Sequence, residues 1–301
     1  MTSRVHSGTP HYPVLSDTVP RMKEKKEQSE ARTEVLLTNL GFGESPRWHE
    51  NRLWFANWGT QQIVAVGVDG KHEVIIEVPT TLPYCFDWLP DDRLLIVSGP
   101  ENLVLCMQPD RSLVTHADLK SISAAGWNEI VVDGRGDAYV NGGALALVKG
   151  DGSVQEVAAD FAFPNGMAIT PDNGTLIVAE SHARRLTAFE IEADGNLKNR
   201  RVWADLCDGV PDGICIDAEN AVWYADVPNR RCVRVREGGE VCQVVNVDRG
   251  CFACMLGGTD RKSLFIVAAT WLGFPRMSEA LQARTGQVLM TRVDVPGAGW
   301  P

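Results

Sequence analysis

No stretch of this sequence stays apolar for the roughly 20 residues that a membrane-spanning helix needs, and the N-terminus MTSRVHSGTPHYPVLSDTVPRMKEKKEQSEAR has no apolar signal core. No membrane association is expected. Residues 1–33 read as a polar, disordered tail of an unexported, cytoplasmic protein. Nor is there a basic excess. The first 34 residues hold six Lys/Arg against five Asp/Glu, and the rest of the chain holds 23 against 34. A body this acidic is a poor nucleic-acid surface, since phosphate neutralisation needs basic patches. It suits a cation better. The G-x-S-x-G elbow, the P-loop and H-E-x-x-H are all missing, which removes three common hydrolase and nucleotide chemistries. Helical periodicity is nearly absent between residues 35 and 301, RMSEALQA excepted.

Eight cysteines are present, and without an export signal reduced thiols are expected. Cys251-x-x-Cys254 lacks both the second pair of a zinc site and the βαβ setting of a redox motif. It reads as a structural pair.

What the chain does have is a repeat. Strand–turn–strand units begin near residues 51, 92, 136, 174, 220 and 262, at intervals of 41, 44, 38, 46 and 42. A period near 40 with several strands per unit predicts β-propeller blades. Six units give one all-β, six-bladed propeller over residues 34–301. ARTEVLLTNLG (31–41) precedes the first unit and is expected to supply the outer strand of the last blade, closing the ring.

The polar residues ahead of each unit keep one register. Glu44 stands 7 residues before its unit, Asn128 8, Asn165 9 and Asp212 8. Each falls where the innermost strand of a blade lines the central channel, so the four are expected to meet at one channel mouth. Two carboxylates and two amides offer only oxygen donors, a set for a hard divalent cation. Ca²⁺ is the first choice, and Zn²⁺, Mn²⁺ or Mg²⁺ fit less well. Close carboxylates repel, which a cation relieves. His182, in AESHARRL, is the one histidine expected near that mouth, as a substrate contact. Cys85 and Cys254 share the register and read as small lining residues.

The stretches GESPRW, FPNGMAI, VPDGICIDAENAVWYAD and CFACMLGGTDRKSLFIVAAT…TGQVL resemble the senescence-marker-protein/gluconolactonase/luciferin-regenerating-enzyme family over about residues 34–301. The resemblance implies a divalent cation on Glu44, Asn165 and Asp212, a substrate-binding asparagine at Asn128, and hydrolysis of a lactone. By the same resemblance Asp212 doubles as general base for the attacking water. Trp127 and Glu129 flank Asn128 and join the expected substrate-binding set. Sugar-lactone members often carry an arginine two residues before that asparagine, where this chain has Gly126, and the loop after AYVNGG offers no acidic contact for sugar hydroxyls. A less hydroxylated substrate is therefore expected, with Trp58, Trp127 or Trp271 as apolar walls. Two other readings stand beside this one. Another ester or an organophosphate could be cleaved at the same metal site, or the propeller could bind a ligand without chemistry. A small-molecule lactone or ester is the expected partner, and the protein a monomer or small homo-oligomer.

Overall fold

The computed structural model describes residues 32–299, so most of the expected tail over 1–33 lies outside the described residues. Six four-stranded antiparallel sheets follow one another along the chain. Blade 1 covers residues 43–77, blade 2 84–118, blade 3 127–158, blade 4 164–205 and blade 5 211–246. Blade 6 joins Gly250–Gly257, Ser263–Ala269 and Gly286–Arg292 to Glu34–Leu40 from the start of the chain, which pairs Glu34 with Met290 and Leu40 with Gly286. Chain start and chain end thus share one sheet, and the first strand completes the last blade to close the ring, as the sequence predicts.

Two local rules build the blades. The first is alternation. Along Arg52–Asn57, Leu53 and Phe55 face the apolar layer shared with blades 5 and 6, whereas Trp54 and Ala56 face the layer shared with blade 2. Each blade is apolar on both faces because each face meets a neighbour. The second is turn chemistry. In blades 1 to 4 the outer hairpin closes on an aspartate that accepts the backbone N–H two residues on, from Asp69 to Lys71, Asp110 to Ser112, Asp151 to Ser153 and Asp194 to Asn196, at 2.9–3.1 Å.

The cysteines are free thiols, and Cys251 and Cys254 are buried with Cys215 and Cys232 in the layer involving blades 5 and 6. Among the described residues the single α-helix, Met277–Gln282, follows a 3-10 turn at Phe274–Arg276. Both lie in the connection between Ser263–Ala269 and Gly286–Arg292 of blade 6. No helix of the described residues is long and apolar enough to cross a membrane.

Candidate metal and active site at the channel mouth

Four inner strands carry the same irregularity at the same height. In blade 1, Glu44 pairs with Ala56 and the next pair is Arg47 with Trp54. The shift recurs between Trp127 and Ile130, between Pro164 and Met167, and between Pro211 and Ile214. Each time three steps on the inner strand oppose two on its partner, the signature of a β-bulge, which re-aims a side chain and bends the strand. Glu44, Asn128, Asn165 and Asp212 are the residues inside or at the edge of those bulges.

The glycines of P-N-G and P-D-G then have a packing reason. A Cβ on Gly166 would sit 2.5 Å from the Ile214 backbone nitrogen, and one on Gly213 2.4 Å from the Ala253 Cβ. Only glycine lets successive inner strands approach this closely at the mouth.

Hydrogen bonds tie blades 3, 4 and 5 together here. Asn128 Nδ2 donates to Asn165 Oδ1 at 3.1 Å, and Asn141 Nδ2 donates to the Asn165 carbonyl at 2.6 Å. Asn165 Nδ2 donates to Ser181 Oγ at 3.4 Å, and that hydroxyl donates to the Pro211 carbonyl at 2.6 Å. Pro211 precedes Asp212, so this network reaches the backbone beside the second carboxylate but not the carboxylate itself.

The carboxylates are short of partners. Glu44 is buried and accepts only the Ser45 N–H, at 3.3 Å. No hydrogen bond from the described residues reaches the Asp212 carboxylate. Burial holds Glu44 well above the usual carboxylate range, and the charges of Asp212 and Glu129 push it further. Asp212 is raised in the same way, by burial first and then by Glu129.

Beneath them Arg47, 4% exposed, meets Glu129 Oε1 at 3.2 Å and Asp87 Oδ1 at 3.7 Å, and donates to the Ile130 carbonyl at 2.7 Å. Burial pushes Asp87 up to about 6 although Arg47 pulls it down. Arg47 thus acts on three carboxylates, Glu129, Asp87 and Glu44, and no cation of the described residues acts on Asp212. That excess of buried negative charge with unmet lone pairs fits a hard cation. Among the described residues no set of three His, Cys, Asp or Glu side chains is gathered as a metal centre. A third protein oxygen would have to come from an amide such as Asn165, whose Oδ1 accepts from Asn128 Nδ2.

Two of the expected substrate contacts are corrected. Trp127 is 1% exposed and packs in the layer between blades 2 and 3, so its indole is no wall of the mouth. The Glu129 carboxylate is buried and accepts from Arg47, Ser45 Oγ and the Ile130 N–H, which makes it a support of the ring and not a substrate contact. His182 is exposed at the rim, stacked on Phe163 with centroids 4.5 Å apart. Cys85 is buried, and burial with the charges of Glu129 and Glu44 pushes its thiol well up, away from nucleophilic character. Sequence reasoning passed over Arg47, Asn141 and Ser181. Arg47 stands inside GESPRW and Ser181 beside His182, yet their partners are 82 and 30 residues away.

A family model described as "SMP-30/Gluconolactonase/LRE-like region" matches residues 42–270. A pentonolactonase of Haloferax volcanii is 24% identical over 285 residues, covering 89% of this chain and 96% of its own. Among solved structures, a protein described as a calcium-binding regucalcin from Agrobacterium tumefaciens superposes with a TM-score of 0.75 at 20% identity, covering 90% of this chain and 97% of that one. A gluconolactonase of Xanthomonas campestris superposes at 0.71 and 20% identity, covering 87% and 90%. At these identities the two structures establish the fold.

Proposed function

The chain belongs to the SMP-30/gluconolactonase/LRE-like family, and from that premise we propose that it is a divalent-metal-dependent hydrolase that opens a lactone. The observation that carries the reading is the pairing of under-bonded Glu44 and Asp212 beside the Asn128–Asn165 amide pair, all at one channel mouth. Glu44, Asn165 and Asp212 would hold the cation, with Ca²⁺ first in order because every donor is oxygen. When bound, such an ion supplies Lewis acidity toward an ester carbonyl.

The chain's own groups have separate tasks. Asp212, whose carboxylate accepts no hydrogen bond from the described residues, takes the proton of the attacking water. Asn128 keeps a second N–H for the substrate oxygen while its first is held by Asn165. Arg47 and Glu129 fix the inner strands of blades 1 and 3 against each other, so the bulged residues stay aimed into the channel.

The test is lactone opening followed with a pH indicator. Metal-stripped protein is compared before and after addition of Ca²⁺, Zn²⁺, Mn²⁺ or Mg²⁺, beside Asp212→Ala. Activity that returns with one ion and is absent in the variant supports the reading. A wild type that binds the ion yet opens no lactone overturns it. Faster turnover of a phosphotriester than of any lactone would replace it with phosphotriester hydrolysis at the same site.

A further inference from the structure

The strongly exposed large apolar side chains among the described residues are six valines, Phe163 and Phe274. Five of the valines stand singly on outer strands of different blades and Val68 stands in a turn, a pattern that needs no explanation. The two phenylalanines touch each other, with ring centroids 5.9 Å apart. They come from blades 4 and 6, which are separated in the ring by blade 5.

Phe274 is carried by the connection over residues 270–285. Pairing of Gly250 with Ala269 puts the end of Ser263–Ala269, and hence this connection, on the same face as the starts of the inner strands. Its base is held down. Thr270 N–H donates to Thr285 Oγ1 at 3.0 Å, Arg249 donates to the Thr285 carbonyl at 2.6 Å, and Met277 and Leu281 pack against Phe42 and Phe252. Its tip, Phe274, is 63% exposed.

Phe163 is fixed just as firmly. It adopts φ 62°, a left-handed conformation that is rare for an aromatic residue. The surroundings impose it. Ser181 N–H donates to the Phe163 carbonyl at 3.1 Å, and Ala162 N–H donates to the buried Glu180 carboxylate at 2.9 Å. Strain that the framework over-determines is typical of functional positions.

Together the rings form a continuous arch. Phe42 meets Trp271 at 6.2 Å, Trp271 meets Phe274 at 5.1 Å, Phe274 meets Phe163 at 5.9 Å, and Phe163 stacks on His182 at 4.5 Å. One foot, Phe42, stands two residues before Glu44, and the other, Phe163, two residues before Asn165. An apolar span is therefore fixed to the rim of the polar ring.

We propose that this arch receives an apolar arm of the substrate, an alkyl or aryl substituent on the lactone ring, and that Phe163 and Phe274 determine that specificity. The inference rests on the lactonase reading. Sugar lactones present hydroxyls at every ring carbon, and the rings of the arch offer them almost no hydrogen-bonding partner, so buried hydroxyls would go unpaired. An alkyl chain instead gains from each methylene that the arch covers.

The experiment compares kcat/KM for δ-decalactone, δ-valerolactone and glucono-δ-lactone on the metal-loaded full chain. Wild type is expected to favour δ-decalactone over both others by about tenfold or more, the scale of a methylene difference in an apolar site. Phe274→Ala and Phe163→Gly should collapse the decalactone-to-valerolactone ratio toward one, and Phe274→Leu should retain part of it. An unchanged ratio in Phe274→Ala, or a preference for glucono-δ-lactone, would overturn the proposal. If no lactone is opened, binding gives the answer independently of chemistry. Quenching of tryptophan fluorescence by the unreactive ketones 2-pentylcyclopentanone and cyclopentanone should show at least fivefold tighter binding of the pentyl compound. That difference should be lost in Phe274→Ala, and equal affinities in wild type would sink the arch while leaving the hydrolase reading to its own test.

Discussion

Blade 2 and blade 4 have the same four strands, yet their inner strands treat the channel differently. Pro164–Ile169 breaks register between Pro164 and Met167 and turns Asn165 toward the mouth, with Phe163 strained beside it. Tyr84–Trp88 pairs with Leu94–Ser98 residue for residue, from Tyr84 with Ser98 to Trp88 with Leu94, and presents Cys85 where blade 4 presents an amide. Its polar residue, Asp87, belongs to the support beneath the ring. It is fully buried, accepts the Trp88 and Val132 N–H groups at 2.9 and 2.8 Å, and faces Arg47. A regular strand builds the wall, and a bulged strand builds the site. The glycine after Asn165 and after Asp212 permits the bulge and the close approach of neighbouring strands in the same stroke.

The sharpest way to break this contrast is at Asp212. Asp212→Ala should lower kcat/KM by about 10²–10⁴-fold, the range for losing a general base, while the fold signature in circular dichroism stays. A loss below tenfold would put the base elsewhere.

Next in size is the support beneath the ring. Arg47→Met leaves Asp87 and Glu129 buried without their cation and should destabilise the protein by about 3–5 kcal/mol, as for other broken buried pairs. Denaturant unfolding measures it, and adding Asp87→Asn to Arg47→Met should restore part of the loss. No loss would mean that the ion pair is not what locks blades 1 to 3.

A smaller effect concerns pH. Glu44 and Asp212 have folded pKa values raised by burial and by neighbouring charge. The folded state therefore keeps protons that the unfolded state has already released. In metal-free protein, the stability that these two groups contribute should be greatest near and below the ordinary carboxylate range, about pH 4. It should fall as pH rises from there through the raised folded values. Millimolar Ca²⁺ should flatten that fall by supplying the missing positive charge. Melting curves from pH 5 to 8, with chelator or with Ca²⁺, give both slopes, and parallel slopes would argue against cation binding at these carboxylates.

The smallest effect belongs to blade 2. Cys85→Ala should leave kcat/KM within about twofold and cost about 1 kcal/mol of stability, the ordinary size of a core substitution. A large activity loss would give that regular strand a part in the chemistry.

The sequence made the four mouth residues legible because each sits in a short motif, G-E-S-P, W-N-E, P-N-G or P-D-G, seven to nine residues before a repeat unit. It misled at Trp127 and Glu129, which are adjacent to Asn128 in the chain but turn into the wall. A bulge interrupts the strict alternation of a strand, so no composition rule says which of these neighbours faces the channel. Arg47, Asn141 and Ser181 stayed hidden for a different cause, since each acts through a partner in another blade.

By itself, the sequence determined the propeller, its six blades and the closing strand, because a 40-residue period and two-residue alternation are local properties written in consecutive residues. It also determined which oxygen-bearing residues share one height. Only the tertiary structure decided how they are sustained: a buried guanidinium spanning blades 1 to 3, amides bridging blade 3 to blade 4, and an aromatic arch from blade 6 to blade 4. Those contacts between blades join residues from 24 to more than 100 positions apart, and the ring alone fixes which distant side chains come within reach.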